Sequence, residues 1–226
     1  MTLPVLLFAA GFGTRMKPLT NDRPKPLVEV DGKPLIDHAL ALAQDVSPPL
    51  IAANLHYKAR MLDAHLAPLG VQTITETPDI LDTGGGLRNA LPVLGPGPVI
   101  TMNTDAIWSG PNPVKLLLAA WDPTRMDALM SCIPVSRALE HDGNGDFSID
   151  DTGRLSCGPG LVYGGVQIIK TEGLAHFREP AFSLNLLWRR MEAEGRLFGL
   201  DYPGRWCDVG HPGGIKTAER LIHGDV

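Results

Sequence analysis

The sequence predicts an α/β fold built on a mainly parallel sheet. Short apolar or β-branched runs alternate with stretches of helical periodicity. That alternation, over this length, is the pattern of right-handed strand–helix–strand units. The 226 residues are 44% hydrophobic and 20% charged, enough for a full core and unlike a disordered chain. A single domain over residues 1–226 is expected.

The first candidate strand is Leu3–Ala10, followed by Leu50–Ala53, Val71–Thr75 and Val99–Met102. Between them, Pro34–Asp45 has proline near its first turn and Leu35, Ile36, Ala39, Leu40 and Ala43 on one face, which predicts a helix. Tyr57–Leu66, Thr83–Leu91 and Pro113–Trp121 are the other helical candidates of this half. The second half is less regular. Asp127–Val135 and Leu161–Ile169 read as strands, and Asp146–Ile149 with Arg154–Cys157 as a hairpin about Asp150-Asp151-Thr152-Gly153. Ser183 is placed to cap a helix running to about Glu194, and a last helix is expected near Pro212–Ile222. Open α/β sheets bind ligands beyond the carboxyl ends of their strands, which directs attention to the residues that follow each strand.

Composition excludes several classes. The net charge of -5 offers no basic face for a nucleic acid. No apolar run approaches the roughly 18 residues of a membrane span, and Met1-Thr2-Leu3-Pro4 lacks the basic start of a signal peptide. Cys132, Cys157 and Cys207 are odd in number and form no Cys-x-x-Cys pair, so a reducing cytoplasmic setting is expected. The seven histidines contain no His-x-x-x-His pair, which argues against a histidine metal centre.

Local charge differs from the total. Arg15, Lys17, Arg23 and Lys25 gather within residues 11–27 against Asp22 alone, on a segment that opens Ala10-Gly11-Phe12-Gly13-Thr14-Arg15-Met16. Glycines there let the backbone approach a small anion, and free N–H groups cradle phosphate oxygens. A plain turn between strand and helix is the alternative, since Met16 stands where a dinucleotide fingerprint needs glycine. Pro24 and Pro26 restrict the backbone around Lys25. Asp105 closes an apolar run and Asp208 lies in Trp206-Cys207-Asp208-Val209-Gly210. Two such carboxylates suit a magnesium ion, although each alone also fits a turn or cap. Gly84-Gly85-Gly86 opens a helical run, where glycine is costly unless something approaches the backbone; a flexible loop is the alternative.

Gly-x-Gly-Thr-Arg-Met followed by Pro-Lys-Pro-Leu resembles the signature of the sugar-1-phosphate nucleotidyltransferases. The resemblance implies a Rossmann-like three-layer fold and a Mg2+-dependent transfer of a nucleoside monophosphate to a sugar 1-phosphate. It implies that Ala10, Gly11, Gly13 and Thr14 wrap the nucleotide, that Arg15 holds the outer phosphates, and that Lys25 contacts the reacting one. Asp105 and Asp208 would hold the metal, with Thr104 replacing the usual glycine. Asn103, Thr83, Gly84 and Gly85 would lie at the nucleotide, and Glu76 where relatives place a base-reading residue. Asp146 and Gly165 would lie on the sugar side, where Asp146 also fits a plain hairpin residue.

Glu76 leans towards guanine. The Leu-x-Thr-Gly-Gly-Gly segment, the Gly145-Asp146-Phe147 segment and the short chain resemble instead the N-acetylmuramate-1-phosphate uridylyltransferases of cell-wall recycling. UTP and N-acetylmuramate 1-phosphate are therefore the expected substrates of a monomer or small homo-oligomer. A mannose-1-phosphate guanylyltransferase or a hexose-1-phosphate thymidylyltransferase is the alternative. A non-catalytic nucleotide-binding regulator of the same fold is the rival from another class. Muramate carries a lactyl carboxylate, which calls for a cation or free N–H groups on the sugar side; Arg137 and Arg154 lie in that half of the chain.

Overall fold

In β1 (Val5–Phe8), Val5 and Leu7 pack on one face of the sheet and Leu6 on the other, all three fully buried. That period of two, apolar on both faces, marks a strand with helices above and below it. The computed structural model describes residues 2–226. The strands that follow are β2 (Glu29–Val30), β3 (Lys33–Pro34), β4 (Ile51–Leu55), β5 (Gln72–Thr75), β6 (Val99–Asn103), β7 (Ala106–Ser109) and β8 (Ala128–Pro134). After them come β9 (Ala138–Leu139), β10 (Phe147–Ile149), β11 (Leu155–Cys157), β12 (Leu161–Ile169), β13 (Leu197–Asp201) and β14 (Arg205–Asp208). The helices are α1 (Leu35–Gln44), α2 (Ala59–Leu66), α3 (Asp82–Leu94), α4 (Pro113–Ala120), α5 (Asn185–Ala193) and α6 (Pro212–His223).

The main sheet runs β5-β4-β1-β6-β12, with β8 beyond β12 and β13 at that edge. β1, β4, β5 and β6 are parallel, as the strand–helix alternation predicts. β12 enters antiparallel between β6 and β8, and the β10–β11 hairpin joins its start, so the far half of the sheet is mixed. The apolar faces of α1, α2 and α4 cover one side of the sheet and those of α3 and α5 the other, giving three layers. A smaller sheet, β7-β14-β9, packs with α6 and Met16 on a third cluster.

The predicted helices and long strands are present with ends moved by a few residues, and Leu161–Ile169 is matched at both ends. Ser183 precedes α5, and its hydroxyl oxygen accepts from the N–H of Asn185, the first residue of that helix, at 3.3 Å. β7, β13 and β14 were not foreseen. β7 follows β6 after only Thr104 and Asp105, and this short reversal matters because it sets Asp105 on a strand boundary. Among the described residues, no helix is long and apolar enough to cross a membrane.

Candidate active site

The loop after β1 is shaped by packing as much as by openness. Gly13 sits at φ +61°, and a Cβ there would stand 2.8 Å from Lys25 Cβ. The Thr20 hydroxyl donates to the Gly13 carbonyl at 2.9 Å, fixing the same turn. Gly11 has open space where a Cβ would go and lines a cleft with Ala9, Ala10 and Lys25. The Asn54 side chain accepts from the Ala9 N–H at 3.0 Å and so anchors the start of the loop. Sequence reasoning missed Asn54, which lies on β4 without any motif around it.

Lys25 Nζ lies 2.7 Å from Asp105 Oδ2. Thr104, where the resemblance led glycine to be expected, donates its hydroxyl to the Phe8 carbonyl at 2.8 Å and ties the ends of β6 and β1 together. Asp208 is registered opposite Ala106, and the Val209 N–H donates to the Asp105 carbonyl at 2.8 Å. The two aspartates predicted to share a metal are thus brought to neighbouring strands. A Cβ on Gly210 would meet both Asp208 Oδ2 at 2.7 Å and Arg15 Nη1 at 3.0 Å, which places the guanidinium beside the second carboxylate. Burial first, and then the Asp105 charge, push the Asp208 carboxyl above its ordinary range, against the pull of Lys25 and Arg15. Mutual repulsion between half-buried carboxylates is relieved by a cation between them. Two carboxylates could hold a divalent cation whose remaining positions are filled by water and phosphate oxygens.

Residues 5–192 match the MobA-like NTP transferase domain. The chain belongs to that family. It is 40% identical to the N-acetylmuramate alpha-1-phosphate uridylyltransferase of Caulobacter vibrioides, over 96% of each chain. It is 29% identical to the protein of the same name from Neisseria meningitidis, over 97% of this chain and 98% of that one. A mannose-1-phosphate guanylyltransferase catalytic subunit beta of Drosophila pseudoobscura pseudoobscura is more distant, at 26% identity over 94% of this chain and 60% of its own. Among solved structures, HddC from Yersinia pseudotuberculosis superposes with a TM-score of 0.78 at 23% identity, covering 98% of this chain and all of that one. That likeness shows the fold.

In this NTP transferase the cleft of about 260 Å3 by the Gly11 loop is also lined by Glu76, Thr83, Asn103 and Asp105. A second cavity of about 430 Å3 adjoins it, lined by Asp146, Tyr163, Gln167, Trp188 and Arg189 among others. Phe8, Asp82, Thr83 and Asn103 line both. A Cβ on Gly165 would lie 2.7 Å from Asn103 Cβ, so Gly165 supports that shared wall and is not on the cavity lining.

Further expectations change. The N–H groups of Gly84 and Gly85 both donate to the Phe182 carbonyl, at 2.8 and 3.1 Å, and neither residue lines a cavity. Cβ atoms there would strike Phe182 and the Pro180 carbonyl, so chain packing requires these glycines, and they have no donor left for a nucleotide. Glu76 is buried, with one oxygen accepting from Asn54 Nδ2 at 2.6 Å and the other from the Leu81 N–H at 2.7 Å. Arg137 pairs with Asp201 at 2.7 Å, and Arg154 donates to the Gly195 carbonyl at 3.1 Å; neither reaches the second cavity. Asp146 does line it, while one of its oxygens accepts from the Tyr163 N–H at 2.9 Å, combining the hairpin role with the site.

Proposed function

We propose that the protein transfers UMP from UTP to N-acetylmuramate 1-phosphate, forming UDP-N-acetylmuramate and pyrophosphate, in cytoplasmic recycling of cell-wall sugars. The observation that carries this reading is the full-length likeness to the Caulobacter vibrioides uridylyltransferase. The adjoining cavities support it, one beside the phosphate loop and one beside Trp188, with Asn103 between. Glu76 does not by itself select guanine: it is buried, and each of its oxygens already accepts one hydrogen bond within the protein. Arg15, Lys25, Asp105 and Asp208 meet at one place, as turnover requires and a mere nucleotide-binding regulator does not.

An oxygen of the sugar phosphate attacks the α-phosphorus, the bond to the bridging β-phosphate oxygen breaks, and pyrophosphate leaves. The second pKa of a phosphate monoester is about 6, so the nucleophile is ionised near neutrality and needs no general base. The obstacle is the approach of two anions and the charge on the leaving group, which positioning and electrostatics overcome. Lys25, held at 2.7 Å to Asp105, offers its ammonium to the reacting phosphate. Arg15 offers its guanidinium to the outer phosphates, and the Gly11–Thr14 backbone cradles them. Asp105 and Asp208 would hold Mg2+, which supplies charge neutralisation at the phosphates.

Pyrophosphate release across four nucleoside triphosphates and a panel of sugar phosphates tests the reading. UTP with N-acetylmuramate 1-phosphate should be used best. A clear preference for GTP with mannose 1-phosphate would replace this substrate pair.

A further inference from the structure

The second cavity carries a cation that no sequence motif announced. Arg189 stands on α5 next to Trp188 and is, among the described residues, the one Lys or Arg on that wall. Its neighbours in the second half are engaged: Arg190 pairs with Glu194 at 3.2 Å, Arg137 with Asp201 at 2.7 Å, and Arg196 with Asp127 at 2.8 Å. Arg189 makes no ion pair or side-chain hydrogen bond among the described residues. The Trp188 indole beside it is fixed, donating to Gln167 Oε1 at 3.0 Å and meeting the Tyr163 ring edge-on at 5.0 Å. A fixed indole offers an apolar wall to the C–H face of a pyranose.

We infer that Arg189 is the specificity residue for the sugar, its guanidinium binding the carboxylate of the lactyl ether that distinguishes N-acetylmuramate from N-acetylglucosamine. This rests on the substrate proposed above. Arginine's planar fork matches a carboxylate with two parallel N–H donors, and such bonds are stronger than neutral ones. The other charged groups lining the cavity are Asp82, on the wall shared with the first cleft, and Asp146; both repel a carboxylate and so leave the α5 side for it. Glu192, one turn on, is already accepting from the Cys157 N–H at 2.9 Å. Cys157, which donates that bond through its backbone, lines the same cavity.

The test is the kinetics of the full-length enzyme and of Arg189→Ala and Arg189→Lys, with UTP and Mg2+. N-acetylmuramate 1-phosphate is compared with N-acetylglucosamine 1-phosphate, the same sugar without the lactyl group. Arg189→Ala should raise KM for the muramate substrate about 10- to 100-fold, the range of a lost hydrogen-bonded charge. Its kcat, and both constants for the glucosamine substrate, should be unchanged, so the preference collapses. Arg189→Lys should recover part of the affinity through its charge. An unchanged KM for muramate, or equal losses with both sugars, overturns the inference. Should the wild type use muramate well and Arg189→Ala use it equally well, this inference fails alone; should the wild type reject muramate, the substrate reading fails with it.

Discussion

Gly13 and Lys25 are one unit: the glycine's left-handed backbone leaves the space that the lysine's Cβ fills. Gly13→Ala adds an αL strain of about 1–2 kcal/mol and pushes on the lysine itself. Its kcat should therefore fall along with its stability, as initial rates and thermal melts would report. Lys25→Ala tests the lysine directly. If the ammonium acts mainly on the transition state, kcat falls by about 100- to 1000-fold while UTP affinity changes far less. Equal losses in turnover and in calorimetric affinity would make Lys25 a ground-state contact. The cysteines give an independent check of the packing. Burial pushes the Cys132 and Cys207 thiols up to about 12, so almost no thiolate forms at either near pH 8. Exposed Cys157 should be the one thiol labelled by iodoacetamide in the native protein, with three labelled after denaturation. Modification of Cys207 in the folded protein would contradict the buried β14 placement.

At the scale of elements, α3 separates two accounts of the same glycines. Helix propensity alone says Gly84→Ala stabilises by about 1 kcal/mol. The Phe182 ring, 2.4 Å from the would-be Cβ, says the substitution overpacks at a cost of about 1–3 kcal/mol. The net change should be a loss of stability in a urea titration, and a gain would return these glycines to a role in ligand approach. The sequence announces that something comes close to Gly84–Gly86 but not what, because Phe182 is distant in the chain. The same limit explains the other differences. α1 and β1 were legible because their apolar spacing is local, and the phosphate loop because Gly11 to Lys25 are contiguous. β13 was not, because Gly199 interrupts a five-residue run. β7 and β14 are four residues each and declare themselves only by pairing, with one another and, for β14, with β9. Asp105 and Asp208 were recognisable through their motifs, whereas Asn54, Trp188 and Arg189 have none: Asn54 acquires meaning where β4 meets the loop after β1, and Trp188 and Arg189 where α5 meets β12.

Across the whole molecule, parallel β1, β4, β5 and β6 present the cleft proposed for the nucleotide, while the mixed half with β12 and α5 presents the second cavity. The proposed metal dependence joins distant parts of the chain, because Asp105 lies near its middle and Asp208 near its C-terminus. Activity should vanish with a chelator and return with Mg2+. Asp208→Asn should be nearly inactive, yet melt at an equal or higher temperature in chelator, because it removes a buried charge facing Asp105. A folded Asp208→Asn enzyme with full activity at limiting Mg2+ would remove that aspartate from the site. The most direct measurement of the account is a crystal structure of the protein with UDP-N-acetylmuramate and Mg2+. It should show uridine by Gly11 and Thr83, the metal within about 2.1 Å of oxygens from Asp105 and Asp208, and the muramyl group beside Trp188. A sugar lying outside the second cavity, or a metal bound to neither aspartate, would contradict it.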